Sequence, residues 1–192
     1  MPPKVKVTKN EIIHAAVETV RLQGAQALGA RAVAAALGSS TQPVFSNFST
    51  MEELKQAVTE AARSIYQRYA AEETGRGNYP VYKSHGMAYI RFAKEEKELF
   101  KFLFMRDNGS ALLPAGAGVD PAMEQLVQSK TGLSEKETKL FHLEMWAFVH
   151  GIATMFATGF LDLEEELVSR MLTDAYLGLR KHYETEQNDG SH

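Results

Sequence analysis

The stretch TKNEIIHAAVETVRLQGAQALGARAVAAALGSSTQPVFSNFSTMEEL, residues 8–54, decides how this chain folds. It opens on Thr8-x-x-Glu11, a capping box in which the hydroxyl accepts from the third helical amide while the carboxylate reaches back to the cap amide. Apolar residues then recur at helical spacing through Ile12, Ala15 and Ala16 until Gly24 stops the helix. Gly38 stops a second, alanine-rich helix, and Ser39-Ser40 are placed to cap a third running Thr41-Gln42-Pro43-Val44-Phe45-Ser46-Asn47. Pro43 falls in the first turn of that third helix, where a missing amide costs little. Several short helices thus occupy a space that an ordinary bundle fills with one, which is the layout of a helix-turn-helix.

The same spacing predicts a miniature core of Ile12, Ala15, Ala16, Val33, Ala34, Leu37, Val44, Phe45 and Phe48. Ser40, Thr41, Gln42, Ser46 and Asn47 are left exposed on a short protruding helix, where short polar side chains suit base edges and phosphates in a major groove. Working outward, two further capping boxes stand at Thr50-x-x-Glu53 and Ser134-x-x-Glu137, and Asp120-Pro121 offers a fourth helix start. Strand-like alternation is absent. The pattern predicts an all-α chain with helices near 9–23, 30–37, 41–47, 51–74, 80–93, 95–106, 121–131, 135–159 and 162–185. The Gly-, Ala- and Pro-containing segment 107–119 reads as the longest loop. The expected division is a DNA-binding domain over 1–54, a ligand-binding and dimerisation domain over 55–187, and a disordered tail over 188–192. The boundary is expected to act within the long fourth helix, so that the two parts move as coupled rigid bodies.

Composition fits this plan. The chain has 192 residues, 44% hydrophobic and 23% charged, enough to bury a core and remain solvated. Its net charge of −3 is unevenly spread: residues 1–55 carry six Lys/Arg against four Asp/Glu, whereas the rest is acidic. That asymmetry suits a DNA-facing N-terminal part on an acidic body. With no cysteine, disulfides, thiolate metal sites and cysteine nucleophiles are excluded, and a cytoplasmic location is expected. The most apolar run, Trp146 to Leu161, is shorter than the roughly 20 residues a bilayer requires and reads as a buried helix.

Residues 8–54 resemble the TetR/AcrR family of regulators. The resemblance rests on Thr8-Lys9-x-Glu11-Ile12-Ile13-x-Ala15-Ala16, Gly24, Arg31-x-Val33-Ala34, Leu37-Gly38, Ser40 and Phe45-x-x-Phe48, where the family usually has Tyr-x-x-Phe. It implies a third helix seated in the major groove, with Lys9, Arg31, Ser40, Thr41, Gln42, Pro43, Ser46, Asn47, Thr50 and Lys55 as DNA contacts. Two positions depart from the family pattern. Gly29 stands where a capping threonine is common, and Met51 where a phosphate-facing lysine is common, the nearest cation being Lys55. A helix N-terminus capped by Thr50 can still receive a phosphate.

Farther on, Trp146-x-x-Val149-His150-Gly151-Ile152 resembles a signature of one subset of these regulators. The two closing helices correspond by position to the family's dimer interface, which points to Phe156, Phe160, Leu163, Leu167 and Met171. Tyr82, Met87, Tyr89, Phe92, Phe100, Phe104, Met105, Met123 and Leu126 mix aromatic and adaptable side chains that could line an apolar pocket, although aromatics at helical spacing are more often packing than pocket. Tyr89, Phe92, Phe104, Met105 and Met123, with Trp146 and His150, form the candidate effector set. The last two share a helical face and need partners for their polar tips if buried; for His150 a carbonyl partner in the core is the simpler expectation. The whole therefore reads as a homodimeric repressor that binds a palindromic operator in double-stranded DNA under control of a small molecule, without cofactor, metal or membrane. The other reading is a carrier or adaptor that keeps the architecture without binding DNA.

Catalytic constellations are thin. Glu11-x-x-His14 has the spacing of one di-iron ligand pair but occurs once, and Gly116-Ala-Gly118 lacks the third glycine and preceding strand of a dinucleotide fold. The six histidines show no zinc-helix pairing with a third ligand. A non-enzymatic role is expected.

Overall fold

Helix α1, Lys9–Gln23, begins as its capping box dictates: Thr8 Oγ1 accepts from the Glu11 amide at 3.3 Å, and Glu11 Oε2 takes the Thr8 amide at 2.8 Å. The Thr8 amide and hydroxyl bonds hold the Glu11 carboxyl below the usual carboxylate range. In this computed structural model, which describes residues 7–105 and 121–189 (side chains only to 185), eight further α-helices follow. They are α2 Ala30–Ala36, α3 Gln42–Asn47, α4 Met51–Arg76, α5 Val81–Glu95, α6 Lys97–Phe104, α7 Pro121–Thr131, α8 Glu135–Thr158 and α9 Glu165–Asp189. A single 3-10 turn, Ala25–Ala27, joins α1 to α2, and no strand occurs among the described residues.

The chain divides into two units. One comprises the residues up to Arg68 together with the segment from Glu95 that holds α6; the other comprises Tyr69–Lys94 and everything from α7 onward. In the first unit α1 packs against both α2 and α6. Its buried face is Ile12, Ala15, Ala16, Val17, Thr19 and Val20, and the one polar member is satisfied by Thr19 Oγ1 donating to the Ala15 carbonyl at 2.8 Å. Helix α1 ends at Gly24, whose φ of 84° is a conformation that side chains disfavour; a Cβ there would also lie 2.9 Å from Glu98 Oε2 of α6. Arg21 fastens the same end to the start of α6, through Nε to Glu96 Oε2 at 2.8 Å and Nη2 to Glu96 Oε1 at 3.1 Å.

In the second unit α7, α8 and α9 close on Val127, Leu133, Phe141, Met145 and Tyr183. Tyr176 meets Phe141 edge-on at 5.4 Å, and the Tyr183 hydroxyl donates to Glu144 Oε2 at 3.0 Å. Helix α5 comes close to α8 and α9 at Gly86, where a Cβ would lie 2.9 Å from Leu172 Cδ2 and 3.5 Å from Val149 Cγ2. Where α4 enters this unit, Glu73 is buried at 2% exposure, and its Oε2 takes Arg76 Nη1 at 2.9 Å and Arg91 Nη1 at 3.0 Å. Arg91 also lies over the Tyr69 ring, 4.6 Å from its centroid.

Most helix limits agree with the periodic reading, and the differences have local causes. Helix α9 starts three residues later than expected. Gly159 closes α8 in the left-handed region at φ 72°, and the Phe160 and Leu161 amides turn back to the Met155 carbonyl, which delays the next helix. At its far end α9 continues to Asp189, so residues 188 and 189 expected in the tail are helical. Residues 190–192, the loop 107–119, Gly116, Gly118 and the Asp120 cap lie outside the described residues. The apolar run from Trp146 is helical only as far as Thr158, Gly159 to Leu161 lying beyond the helix, and by length and a mean hydropathy of 1.2 the 24-residue α8 could cross a membrane. Of its most apolar 18-residue window 44% is buried inside the chain.

Candidate nucleic-acid interface and ligand site

Six residues of α3 are held to the first unit by one side. Val44 and Phe48 are each 1% exposed, and they join Ile12, Ala16, Val33 and Leu54 in the interior. The other side faces solvent and carries Gln42, Phe45 and Ser46, with Thr41, Pro43 and Asn47 half-buried at its edges. Phe45 corrects the sequence reading, which placed it in the miniature core: it is 54% exposed. A step of one residue turns a helix by about 100°, so Val44 and Phe48 share a face from which Phe45 is excluded.

The polar side chains are partly engaged. Ser46 Oγ donates to the Gln42 carbonyl at 2.9 Å and Asn47 Nδ2 to the Pro43 carbonyl at 2.8 Å. Ser40 caps nothing: α3 begins at Gln42 without a side-chain cap, and the Ser39 hydroxyl donates to the Ser40 carbonyl at 3.0 Å. Arg31 is exposed on the first turn of α2. Lys9, expected among the DNA contacts, ties α1 to α4, with Nζ 3.1 Å from Glu53 Oε1 and 4.7 Å from the Phe48 ring centroid.

The capping box at Thr50 is shifted. Thr50 Oγ1 accepts from the Glu53 amide at 3.1 Å as expected, but Glu53 Oε2 takes the Ser49 amide at 2.8 Å rather than that of Thr50. The Ser49 amide first, then Lys9, hold the Glu53 carboxyl below its ordinary range. Glu52 and Glu53 make the first turn of α4 acidic, and exposed Lys55 lies 4.0 Å from Glu52, so this N-terminus is less welcoming to phosphate than a bare one.

Gly29 caps α2 without a side-chain bond, in an extended conformation (φ −154°) that any residue adopts, with no atom within 4 Å of a Cβ built there. Gly29→Ser is therefore expected to stabilise the protein by about 0.3–1 kcal/mol, through the added cap and the less flexible unfolded chain. Paired thermal melts, with the Ala variant separating the two contributions, would check this.

In the second unit three of the expected effector residues come together. Trp146 and His150 stack with centroids 4.9 Å apart and planes 16° from parallel, and the Tyr89 hydroxyl lies 3.0 Å from His150 Nδ1. A tyrosine of α5 is thus a partner of His150, where the sequence suggested a carbonyl. A second pair repeats the arrangement one step earlier, where the Tyr82 hydroxyl lies 2.8 Å from His142 Nδ1. Burial first, then neighbouring Tyr176, push the Tyr82 phenol above its ordinary value. Phe92 is fully buried against Tyr69, with centroids 5.4 Å apart, and serves as packing. Met123 is half-buried on α7. Phe104 and Met105 belong to the first unit, where Phe104 packs edge-on against Tyr66 at 5.6 Å and Met105 is exposed.

Burial lowers the pKa of His150 below 6.5, so the folded protein favours a neutral imidazole there. The unfolded chain takes up the proton first as pH falls below about 6.5. Stability contributed by this site is therefore full above that value and is lost as pH drops towards the folded pKa. Urea unfolding at pH 7.5, 6.5 and 5.5 should show a smaller acid-side loss in His150→Gln than in the parent; equal losses would exclude the effect.

Of the residues expected at a dimer interface, Phe156 is turned into the chain's own interior at 3% exposure, with Lys94 Nζ 5.2 Å from its ring centroid. Phe160 and Leu167 are exposed, and Leu163 and Met171 half-buried. Leu140, Leu143, Phe148 and Met155 on α8 and Leu177 on α9, not singled out in the sequence, are exposed as well. Residues 140, 143 or 144, 147, 148, 151 and 155 follow a helical stripe that could have revealed them. Among the described residues no group of three or more His, Asp or Glu side chains could hold a metal; Glu11 serves as a cap and His14 is exposed.

Residues 83–175 match the family model described as tetracyclin repressor-like, C-terminal domain. The fold is similar to the structure of a TetR-family member from Streptomyces coelicolor A3, with a TM-score of 0.59 and 18% sequence identity over 86% of this chain and 96% of that one. No curated protein matches.

Proposed function

Because the chain is TetR-like, by the family model over its body and by its fold, we propose that it is a DNA-binding transcriptional repressor, dimeric and controlled by a small molecule. Residues 1–54 would be the reading head and 55–187 the sensing and dimerising body. The observation that carries this reading is α3 itself. It is anchored through Val44 and Phe48, while Gln42, Phe45 and Ser46 stand on the solvent side. Amide and hydroxyl groups on such a helix can read base edges, and an exposed phenyl ring can meet a thymine methyl.

One short reading helix buries too little surface to be specific, whereas two related by a twofold axis read half-sites about one DNA turn apart. The apolar stripe of Leu140, Leu143, Phe148 and Met155, with Leu167 and Leu177, is the surface proposed for that pairing. An effector controls DNA binding only if its affinity differs between DNA-competent and DNA-incompetent states, so ligand and operator are expected to oppose each other.

The test is selection of sites from random duplex DNA, followed by anisotropy titrations of the winning site at two salt concentrations. A palindrome should emerge. Its affinity should fall steeply with salt, because neutralised phosphates release counterions. Gln42→Ala with Asn47→Ala should cost about 10- to 100-fold on that site and little on random DNA. No enrichment, with weak binding indifferent to these changes, would favour a carrier; the engagement of Lys9 by Glu53 is the observation that favours that second reading.

A further inference from the structure

Along α8, His142, Trp146, His150 and Thr154 recur at every fourth position and so follow one slowly turning face. Tyr82 and Tyr89, seven residues apart on α5, meet the first and third of these through their hydroxyls. The second and fourth have no such provision. Trp146 Nε1 and Thr154 Oγ1 are buried, and neither has a hydrogen-bond partner. Buried polar atoms in folded proteins are nearly always paired, and an unpaired one forfeits its hydration without return. His142 Nε2 is a third such atom on this face, on a ring that Tyr82 meets through Nδ1, and the two of the three that can donate whatever the tautomer are those of Trp146 and Thr154.

The chemistry of that partner follows from the groups. An indole N–H can only donate, and a threonine hydroxyl can donate or accept. The imidazole between them is held neutral by burial. The neighbouring cations of α5 are engaged elsewhere, Lys83 by the Thr173 hydroxyl at 2.8 Å and Arg91 by Glu72 and Glu73. Among the described residues this face of α8 carries no Asp, Glu, Lys or Arg to compensate a charge on a ligand, while the indole and imidazole stack as flat rings. Eight residues of α8 separate the two donors, about 12 Å along the axis.

We propose that Trp146 and Thr154 are the recognition groups of the effector site, and that the effector is an uncharged, flat, largely apolar molecule bearing carbonyl-type acceptor oxygens. This rests on the effector reading above and narrows it to a ligand class. Trp146 donates to one acceptor, Thr154 to a second on the same molecule or to one placed farther along it, and His150 is positioned by Tyr89 to stack rather than to carry charge.

Menadione is a suitable probe: it is neutral and bicyclic, has two opposed carbonyls, and cannot form a thiol adduct with a chain that has no cysteine. Naphthalene shares its rings without the oxygens, and naphthoate adds a negative charge. The chain's single tryptophan gives one indole N–H signal in a nitrogen-15 correlation spectrum, and affinities can be read by equilibrium dialysis without DNA. Menadione should move the indole proton downfield and bind about tenfold or more tightly than either control. Trp146→Phe and Thr154→Val should each weaken menadione about tenfold and leave naphthalene unchanged. The proposal is overturned if menadione and naphthalene bind alike, if naphthoate binds best, or if neither menadione nor the one-ring ketone acetophenone moves the signal, in which case water meets the two donors. An operator selected without menadione binding would sink only this proposal; menadione binding without an operator would sink only the DNA reading.

Discussion

Phe48→Ala is expected to destabilise the first unit by about 3–5 kcal/mol, the cost of truncating a fully buried phenyl ring. The ring is 1% exposed and sits where α3 ends, its amide bonded to the Val44 carbonyl at 2.9 Å. Ile12, Ala16, Val33, Val44 and Leu54 of the same unit are fully or almost fully buried themselves. Lys9 would also lose the aromatic face beneath its ammonium. Since α3 is only six residues long, it has no stability of its own and stays helical only while docked. Urea unfolding followed by circular dichroism should therefore show an early transition for residues of the first unit, and specific DNA binding should vanish with it. Phe48→Leu, which keeps most of the volume, should cost about 1–2 kcal/mol and retain DNA binding. Equal effects of the two substitutions would mean that the ring does not anchor α3.

Glu73→Ala should cost nearly as much, about 2–4 kcal/mol, for an electrostatic reason rather than a packing one. Glu73 is 2% exposed and its Oε2 receives both Arg76 and Arg91. Removing it leaves the Arg91 guanidinium, 20% exposed, in place over Tyr69 and takes away its buried counter-charge, the more exposed Glu72 remaining. Glu72→Ala, at 57% exposure, should cost well under 1 kcal/mol. The contrast between adjacent glutamates tests burial against mere pairing. If Glu73→Leu combined with Arg91→Met restores stability, the network adds little net energy and its single-site cost is that of an orphaned charge.

What could be read from the sequence was local. The capping boxes at Thr8 and Ser134 formed with both reciprocal bonds, because a hydroxyl and a carboxylate three residues apart need nothing beyond the turn they close. At Thr50 the same motif formed only half, since Lys9 from another helix draws Glu53 aside. Phe45 and Phe48 look alike in a hydrophobicity pattern, yet a six-residue helix has one buried stripe and only one of the two can lie on it. Phe156 shows the reverse: periodicity marks a face as apolar without saying whether its own chain or a second copy covers it, and here its own chain buries the ring. The stacking of Trp146 on His150 followed from their spacing, whereas the pairing with Tyr89 required knowing that α5 runs beside α8.

The assignment of α6 to the first unit also constrains how this protein is made. A ribosome that has delivered residues up to 68 has delivered every part of α3 and its neighbours α1 and α2, but not the helix against which α1 rests or the carboxylate of Glu96 that Arg21 grasps. At 5–20 residues per second, the interval between Arg68 and Phe104 lasts about 2–7 s. During that time the α6-facing side of α1 is open to solvent and to chaperones. A fragment cut at the apparent domain boundary would remain in that condition permanently, and the shortest piece expected to hold the reading head folded runs through Phe104.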